Sequence, residues 1–291
     1  MLLPAFDFIA PSSLEEAGGI MQRHGKNARI LAGGTDLLVN MKKKLLEPAR
    51  LVSLHRIEAL RQISTAGEML EIGAGVTVAS IADSTFIRKI FPALAAGARA
   101  LGSPLIRNLA TIGGNIGSAR PAADLLPALI VYAAEVTLVS SAGTRQASIQ
   151  DLFTGPGMTI IRENEIISKI GLLFPGNTSG AGYINLGVRK VQDCNLVNVA
   201  AGIVLDRQGK RIKSARIAMG SVGPTPLRAL SAEKLLIGGS PGDALFEKAG
   251  RAAMEDCRPI PDFRGSAEYR RAMIGVLTQR ALNLALQQAH R

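Results

Sequence analysis

Residues 110–127 read ATIGGNIGSARPAADLLP, and a related pattern, LAGGTDLL, occupies residues 31–38. Each stretch carries a Gly-Gly pair that is followed at once by a short polar residue. Glycine allows positive φ angles and lets a ligand approach main-chain N–H groups with no Cβ in the way. The two pairs therefore predict a backbone cradle for a diphosphate, used twice.

Polar side chains beside the pairs fit the same interpretation. Thr35, Thr111 and Asn115 supply short hydrogen-bonding groups, and Asp36 and Asp124 can accept from ribose or ribityl hydroxyls. The alternative is that both Gly-Gly pairs are only tight turns.

The common nucleotide fingerprints are absent. Residues 73–80, GAGVTVAS, contain G-x-G without the third glycine of a dinucleotide fold, and no G-x-x-x-x-G-K-[ST] pattern occurs. The histidines His24, His55 and His290 form no Ser-His-Asp or Cys-His constellation in the sequence. We therefore predict no catalytic side chains and expect a bound cofactor to supply the chemistry.

Composition narrows the class of protein. The 291 residues are 47% hydrophobic and 20% charged, which excludes a disordered chain. The net charge of +11 raises the possibility of a nucleic-acid binder, but the basic residues are scattered and only 4% of residues are aromatic. A basic surface for an acidic partner or a phosphorylated small ligand is favoured, with no nucleic acid as partner.

The two cysteines, Cys194 and Cys257, have no C-x-x-C spacing, so we predict core thiols and no metal site. The longest apolar run, residues 127–142, contains Glu135 and is shorter than the ~20 residues that span a bilayer. The N-terminal residues do not resemble a secretory signal. These features predict a cytoplasmic protein with no membrane span.

Hydrophobic periodicity and turn signals divide the chain into three blocks. Residues 1–55 predict a small α/β unit with a helix capped by Ser12 or Ser13 and a second short helix capped by Thr35 or Asp36. The next block predicts a largely antiparallel sheet, with a strand in residues 130–140, and a helix that begins at Pro92. After a predicted linker at residues 175–182, a β-meander is followed by helices.

Seven motifs then resemble, in order, the FAD-binding medium subunit of molybdenum hydroxylases of the xanthine dehydrogenase and carbon monoxide dehydrogenase type. They are LAGGTDLLVNMK (31–42), GAGVT (73–77), ATIGGNIGSARPAADLLPAL (110–129), TGPG (154–157), VRKVQDCNLVNVA (188–200), GSVGPTPLRA (220–229) and FRGSAEYRRAM (263–273). The resemblance implies an α+β fold: a two-part FAD-binding domain of the vanillyl-alcohol-oxidase (PCMH) type, residues 1–177, with parts at about 1–57 and 58–177. A C-terminal domain of the CO dehydrogenase flavoprotein type, residues 178–291, would carry a small antiparallel sheet covered by helices.

The resemblance also implies which residues bind FAD. The first loop would wrap the diphosphate and adjoining sugar through Arg29, Ile30, Leu31, Ala32, Gly33, Gly34, Thr35 and Asp36. The second would hold the diphosphate and ribityl region through Thr111, Ile112, Gly113, Gly114 and Asn115. Asp124 matches a family residue that contacts FAD, and Ile167 lies on a strand whose backbone approaches the adenine.

This sequence departs from the family at several positions. Asn185, in YIN, replaces a flavin-proximal lysine, for which Lys190 is a candidate substitute. Ile112 stands where others have Tyr and would pack against the flavin. Because neither motif contains His or Cys, we expect FAD to be bound non-covalently.

The implied function is electron transfer inside a larger enzyme. A large molybdenum-cofactor subunit would oxidise the substrate, and a small subunit would relay electrons through 2Fe-2S clusters to the FAD of this chain. Delivery to NAD or another acceptor, including oxygen, would follow. The alternatives are a self-contained FAD-dependent oxidoreductase and a basic non-enzymatic binding protein.

Overall fold

The computed structural model describes residues 2–189 and 192–290 of the chain. Its first block is a small α/β unit whose three strands pair in parallel, in the order β1, β3, β2. The elements are β1 (Asp7–Ile9), α1 (Leu14–His24), β2 (Ala28–Leu31), α2 (Leu37–Lys42) and β3 (Arg50–Ser53). The first glycine pair lies between β2 and α2.

The sequence signals set the ends of α1 as predicted. Ser13 is the N-cap, and its side chain accepts from the N–H of Glu16, while Gly25 ends the helix at φ +47°. The cap of α2 differs from the prediction, because the Asp36 side chain makes no capping hydrogen bond. That carboxylate is engaged elsewhere, as described below.

The second block is a five-stranded antiparallel sheet with short helices, in the strand order β4, β5, β10, β6, β7. The five strands of this sheet are β4 (Ile63–Ala66), β5 (Met69–Gly73), β6 (Glu135–Ser140), β7 (Gly143–Ser148) and β10 (Ile166–Leu173). Between β7 and β10, the strands β8 (Phe153–Gly155) and β9 (Met158–Thr159) form a separate two-stranded sheet. Its helices are α3 (Val78–Asp83), α4 (Thr85–Ile90), α5 (Pro92–Ala100), α6 (Pro104–Leu109), α7 (Ile112–Gly117) and α8 (Leu125–Val131).

The third block is a four-stranded antiparallel sheet covered by helices, as predicted. It contains β11 (Ser179–Leu186), β12 (Val197–Leu205), β13 (Ile212–Gly220), β14 (Leu227–Arg228), α9 (Leu230–Leu236), α10 (Asp243–Asp256) and α11 (Ala267–Ala289). Glycines in β11 let α11 pack directly on the sheet: an added Cβ at Gly180 would lie 2.0 Å from the carbonyl oxygen of Ala285. Short 3-10 helices occur at Gly25–Asn27, Glu58–Arg61 and Ile149–Asp151.

Three predictions about local structure are wrong. The second glycine pair lies inside the helix α7, where a loop was expected. The strand predicted in residues 130–140 begins only at Glu135, because Leu125–Val131 forms the helix α8. The segment 175–182 extends only to residue 178 as a connection, because β11 begins at Ser179.

The second and third blocks bury apolar side chains against each other. Helices α5 and α8 pack on the third sheet, so that Ala181, Tyr183, Ala200 and Ala218 belong to the hydrophobic core of the N-terminal part. Burial of apolar side chains stabilises this contact by about 25 cal/mol per Å² of area removed from water. The N-terminal part of the chain, residues 2–173, and the third block, the C-terminal half, therefore share one hydrophobic core.

Candidate functional site

The two glycine motifs lie side by side in the structure, although about 80 residues separate them in sequence. Gly33 packs against the start of the second motif: an added Cβ there would lie 1.9 Å from the carbonyl oxygen of Leu109 and 3.0 Å from Cα of Ala110. On the other side, a Cβ added at Gly114 would lie 3.9 Å from Cβ of Ala32. Only glycine permits this approach of two backbones.

The first loop leaves its main-chain donors free. Among the hydrogen bonds of the described residues, none is donated by the N–H groups of residues 33–36. Gly34 adopts a φ of +72°, which a side chain would strain, and the loop is half-buried. Successive free N–H groups in a loop of this kind form a concavity that suits an anion.

The second motif uses its main-chain donors internally. The N–H groups of Ile112 and Gly113 donate to the carbonyl oxygens of Val76 and Ala74 at 3.0 and 2.9 Å. The N–H of Gly114 donates to Oγ1 of Thr111 at 3.0 Å, which caps α7. The free backbone N–H groups that the diphosphate interpretation expects in both motifs are therefore present only in the first.

Two side chains of the second motif have different roles. Ile112 is completely buried, which makes it a core residue, so its side chain offers no surface to a flavin. Asn115 has its Oδ1 atom buried with no hydrogen-bond partner among the described residues. A buried acceptor without a hydrogen bond lowers the stability of a folded protein, so this atom indicates that a ligand donates to it.

Asp36 is held by an arginine that the sequence analysis did not single out. Arg120 donates to both carboxylate oxygens of Asp36, at 3.1 and 3.2 Å, and Nδ2 of Asn40 donates to Oδ2 at 2.9 Å. Asp36 is thus already satisfied, where a free acceptor for a sugar hydroxyl was expected. The signal available in sequence was a single arginine within the small-residue stretch 110–124.

Asp124 lies at the contact between the two halves of the chain. Its Oδ1 accepts from the hydroxyl of Tyr183 at 3.1 Å and from Nδ2 of Asn195 at 2.7 Å. Burial raises the pKa of Asp124 to about 6, and the hydrogen bonds from Asn195 and Tyr183 oppose that rise. Sequence reasoning missed Tyr183 and Asn195, because residues 59 and 71 positions away carry no local signal.

Among the remaining positions singled out in the sequence, some adjoin the glycine loops and others lie elsewhere in the fold. Ile167 is buried on β10, and its Cδ1 atom would lie 3.9 Å from a Cβ added at Gly117 of α7. Lys190 lies outside the described residues. Asn185 is exposed, and its Nδ2 donates to Oδ1 of Asn195 at 2.9 Å. Arg29 and Ile30 are half-buried on β2, next to Leu31 and Ala32.

The cysteines correct one prediction. Cys257 is buried, as expected of a core thiol, whereas Cys194 is exposed, since it lies in the loop before β12 rather than on the sheet. Within residues 2–189 and 192–290, no group of three or more His, Cys, Asp and Glu side chains is placed to hold a metal ion. None of the helices described is both long and apolar enough to cross a membrane.

Comparison with known proteins covers almost the whole chain. Residues 4–172 match the profile of the FAD binding domain in molybdopterin dehydrogenase, and residues 183–285 match the CO dehydrogenase flavoprotein C-terminal domain. The chain is 33% identical over 285 residues to the carbon monoxide dehydrogenase medium chain of Hydrogenophaga pseudoflava, with 98% of each chain covered. It is 32% identical to the nicotine 6-hydroxylase medium subunit of Paenarthrobacter nicotinovorans, covering 97% of this chain and 98% of that one.

The fold agrees with a solved structure of the same kind. A carbon monoxide dehydrogenase from Hydrogenophaga pseudoflava that lacks the Mo-pyranopterin moiety of its cofactor superposes with a TM-score of 0.95 at 33% identity, covering 99% of both chains. The structural similarity extends over 99% of the chain, and the two domain profiles match it in the same order. The chain belongs to the family of FAD-binding medium subunits of molybdenum hydroxylases.

Proposed function

We propose that this chain binds FAD non-covalently at the junction of its two glycine motifs and passes electrons from a partner's iron–sulfur clusters to an external acceptor. The observation that carries the proposal is the direct contact of the two motifs, with the free N–H groups of residues 33–36 on one side. The family to which the chain belongs supplies the identity of the cofactor.

The donor and acceptor groups present fit FAD. The first loop, residues Arg29 to Asp36, would take the diphosphate through its unused N–H groups. Asn115 would find at Oδ1 the donor that the protein does not provide. Gly113 packs α7 against Ala74, Thr111 caps that helix and Gly114 faces Ala32, and this arrangement would bring the Asn115 side chain to the cofactor. Ile167, which lies beside Gly117 at the other end of α7, would line the site there.

Charge around the loops favours a diphosphate. The guanidinium of Arg120 neutralises the Asp36 carboxylate, so the loop does not oppose an incoming dianion. When bound, FAD can accept and release electrons singly or in pairs, and the protein supplies binding and orientation. No side chain of this site need act as acid or base in that role.

We propose that the partners are a large molybdenum-cofactor subunit and a small 2Fe-2S subunit, in the cytoplasm. The support is that the similar proteins are themselves named medium chains or medium subunits. The acceptor would be NAD or another oxidant.

The first experiment is a flavin titration of the purified full chain. Gly114 lies exposed on α7 between the loops, so Gly114→Leu would fill the space beside Ala32. We expect FAD affinity to fall by at least about tenfold, a change of about 1.4 kcal/mol. Gly19→Leu is the matched control, because it also adds a side chain at a helical glycine, with nothing within 4 Å of its Cβ.

The titration separates the alternatives. A folded chain with no FAD affinity would overturn the proposal and support a basic binding protein. If the purified chain reduced its flavin with an organic substrate and no partner, a self-contained oxidoreductase would be the better description. Co-purification of tagged chain with molybdenum- and iron-containing subunits, which restore flavin reduction, is the result expected of an electron-transfer subunit.

A further inference from the structure

A pocket of about 490 Å³ lies at one end of the third sheet. It is formed by the turn between β12 and β13, the connection before α10 and the C-terminal end of α11. We call it the basic pocket, and the side chains that line it are those of Lys210, Arg211, Ser240, Pro241, Leu286 and His290. In the described part of the chain, its lining includes no aspartate or glutamate. The volume is in the range of small-molecule sites.

The basic pocket is separate from the contact between the two halves of the chain. Asn198, at the start of β12, donates to the carbonyl oxygen of Ala123, whereas the turn follows Leu205 at the other end of that strand. The nine residues of β12 span about 27 Å, at about 3.3 Å per residue. An inference about this pocket therefore goes beyond the proposed function.

The basic side chains of this pocket have few partners of their own. Nη1 of Arg211 donates to the carbonyl oxygen of Gly238 at 2.8 Å, which fixes the guanidinium beside the connection before α10. The imidazole of His290 lies over the turn, since a Cβ added at Gly209 would lie 3.5 Å from its Cε1 atom. Among the described residues, no ion pair and no other side-chain hydrogen bond involves Lys210, Arg211 or His290.

The acidic residue of the same turn, Asp206, is engaged by the main chain. The N–H of Lys210 donates to its Oδ1 atom at 2.8 Å. This hydrogen bond holds the pKa of Asp206 below its ordinary value, and the N–H groups of Arg211 and Gln208 contribute more to that shift than the charge of Arg211 does. The positive charge at the pocket is therefore left largely uncompensated.

A second depression on the protein gives a comparison. Its volume is about 590 Å³, and its lining contains Arg56 and Glu58, one charge of each sign. Concave surfaces lined by charges of a single sign concentrate the potential and attract counter-ions. Of these two depressions, the basic pocket alone has that property.

We propose that the basic pocket binds the phosphate group of a small phosphorylated molecule. Nε and Nη2 of Arg211 are not used by any described residue, so the guanidinium can donate two parallel hydrogen bonds to phosphate oxygens. Lys210 and His290 would face the same dianion, and Ser240 adds a hydroxyl. Leu286 and Pro241 provide apolar surface for the organic part of the ligand.

The test uses NMR of the full chain with labelled histidine rings, titrated with inorganic phosphate in the presence of excess FAD. Excess FAD keeps added phosphate away from the glycine motifs. The chain has three histidines, so His24 and His55 are internal controls. Phosphate should shift the ring signals of His290 and leave the other two in place. No shift at His290, or equal shifts at all three rings, would overturn the inference.

Two variants assign the binding to the basic pocket. Lys210→Gln should weaken phosphate binding at least about fivefold, because it removes a charge-assisted hydrogen bond. Lys213→Gln is the matched control, since Lys213 is exposed on β13 and carries the same charge but does not line the pocket. Both variants change exposed side chains, so both should fold and keep the FAD affinity of the wild type. Equal weakening by the two variants would mean binding by general surface charge and would contradict the proposal.

Two further probes identify the source of the phosphate group. Phenyl phosphate should bind more tightly than inorganic phosphate at the same His290 signals, because its ring would cover Leu286 and Pro241. Equal affinities would overturn the assignment to an organic phosphate and leave inorganic phosphate as the ligand. Benzyl alcohol, which has a ring and no charge, should leave His290 unshifted, and a shift as large as that with phenyl phosphate would overturn the recognition of an anion.

The outcome is independent of the cofactor. A chain that binds no FAD would remove the proposed function, while the His290 shifts and the comparison of Lys210→Gln with Lys213→Gln would still decide this inference. A chain that binds FAD and shows no phosphate effect at His290 would leave the proposed function intact and remove the inference alone.

Discussion

The guanidinium of Arg120 and the carboxylate of Asp36 form a two-point ion pair that joins the two glycine motifs across 84 residues of sequence. Both side chains are about half exposed, so the pair itself contributes at most about 1 kcal/mol to stability. Because Asp36 belongs to the loop with the free N–H groups of residues 33–36, we expect the pair to matter more for the binding of an anionic ligand than for stability.

Arg120→Ala should weaken FAD binding about fivefold, which is about 1 kcal/mol, because it leaves the Asp36 carboxylate unneutralised beside the diphosphate. The double variant Arg120→Ala with Asp36→Asn should recover most of the affinity. The penalty of the single variant should shrink in high salt, which screens exposed charges. Equal affinities of the single and double variants would contradict this account.

Gly33→Ala should destabilise the chain by about 1–3 kcal/mol, because its Cβ would lie 1.9 Å from the backbone oxygen of Leu109. A backbone neighbour cannot move away as a flexible side chain can. Urea unfolding gives the measurement, and Gly19→Ala in α1 is the control, where about 0.5–1 kcal/mol of stabilisation is expected. A Gly33→Ala chain as stable as the wild type would mean that the motifs separate easily.

Asp124→Asn should stabilise the chain at pH 8 and leave it unchanged near pH 3.5. The folded pKa of Asp124 is raised from 3.8 to about 6, so its contribution to stability is fully present below pH 3.8 and is lost as pH rises through 6. The loss is of the order of 3 kcal/mol, and the asparagine variant avoids it. Unfolding free energies across this pH range check the sign, with Asp151→Asn at an exposed carboxyl as control.

Arg270→Leu should cost far more stability than Arg264→Leu, although both arginines meet Asp262. Arg270 has 3% of its side chain exposed and donates to the carbonyl oxygen of Leu196 at 2.8 Å. Its replacement leaves buried acceptors without a donor, which should lower the free energy of unfolding by about 3–5 kcal/mol. Arg264 is more exposed, and its loss should cost about 1 kcal/mol. Similar unfolding free energies for both variants would contradict this assignment.

Local signals predicted the elements whose causes are local. The N-cap at Ser13, the start of α5 at Pro92 and the presence of two glycine motifs all follow from neighbouring residues. The helix at residues 112–117 does not, since its Gly-rich sequence has poor helix propensity and depends on acceptors at residues 74 and 76. The apolar run before Glu135 fits either a strand or a buried helix by periodicity alone.

The candidate site shows the same limit. The glycine pairs and Asp124 could be found in the sequence, because residue type and spacing carry the signal. The difference between the two motifs in free N–H groups could not be found there. Only the fold shows that the first N–H groups of α7 donate to the carbonyl oxygens of residues 74 and 76, and that Arg120 donates to Asp36. Tyr183 and Asn195 were equally hidden, because they come to Asp124 from another sheet.

The shared core has a consequence for proteolysis. Gly176 and Asn177 are exposed in the connection before β11, where a protease could cut. The fragments would stay together, because α5 and α8 bury part of the third sheet and because the Asp124 hydrogen bonds cross the cut. A nicked chain would run as two bands in denaturing gels and as one species in gel filtration, so its integrity has to be judged by the first method.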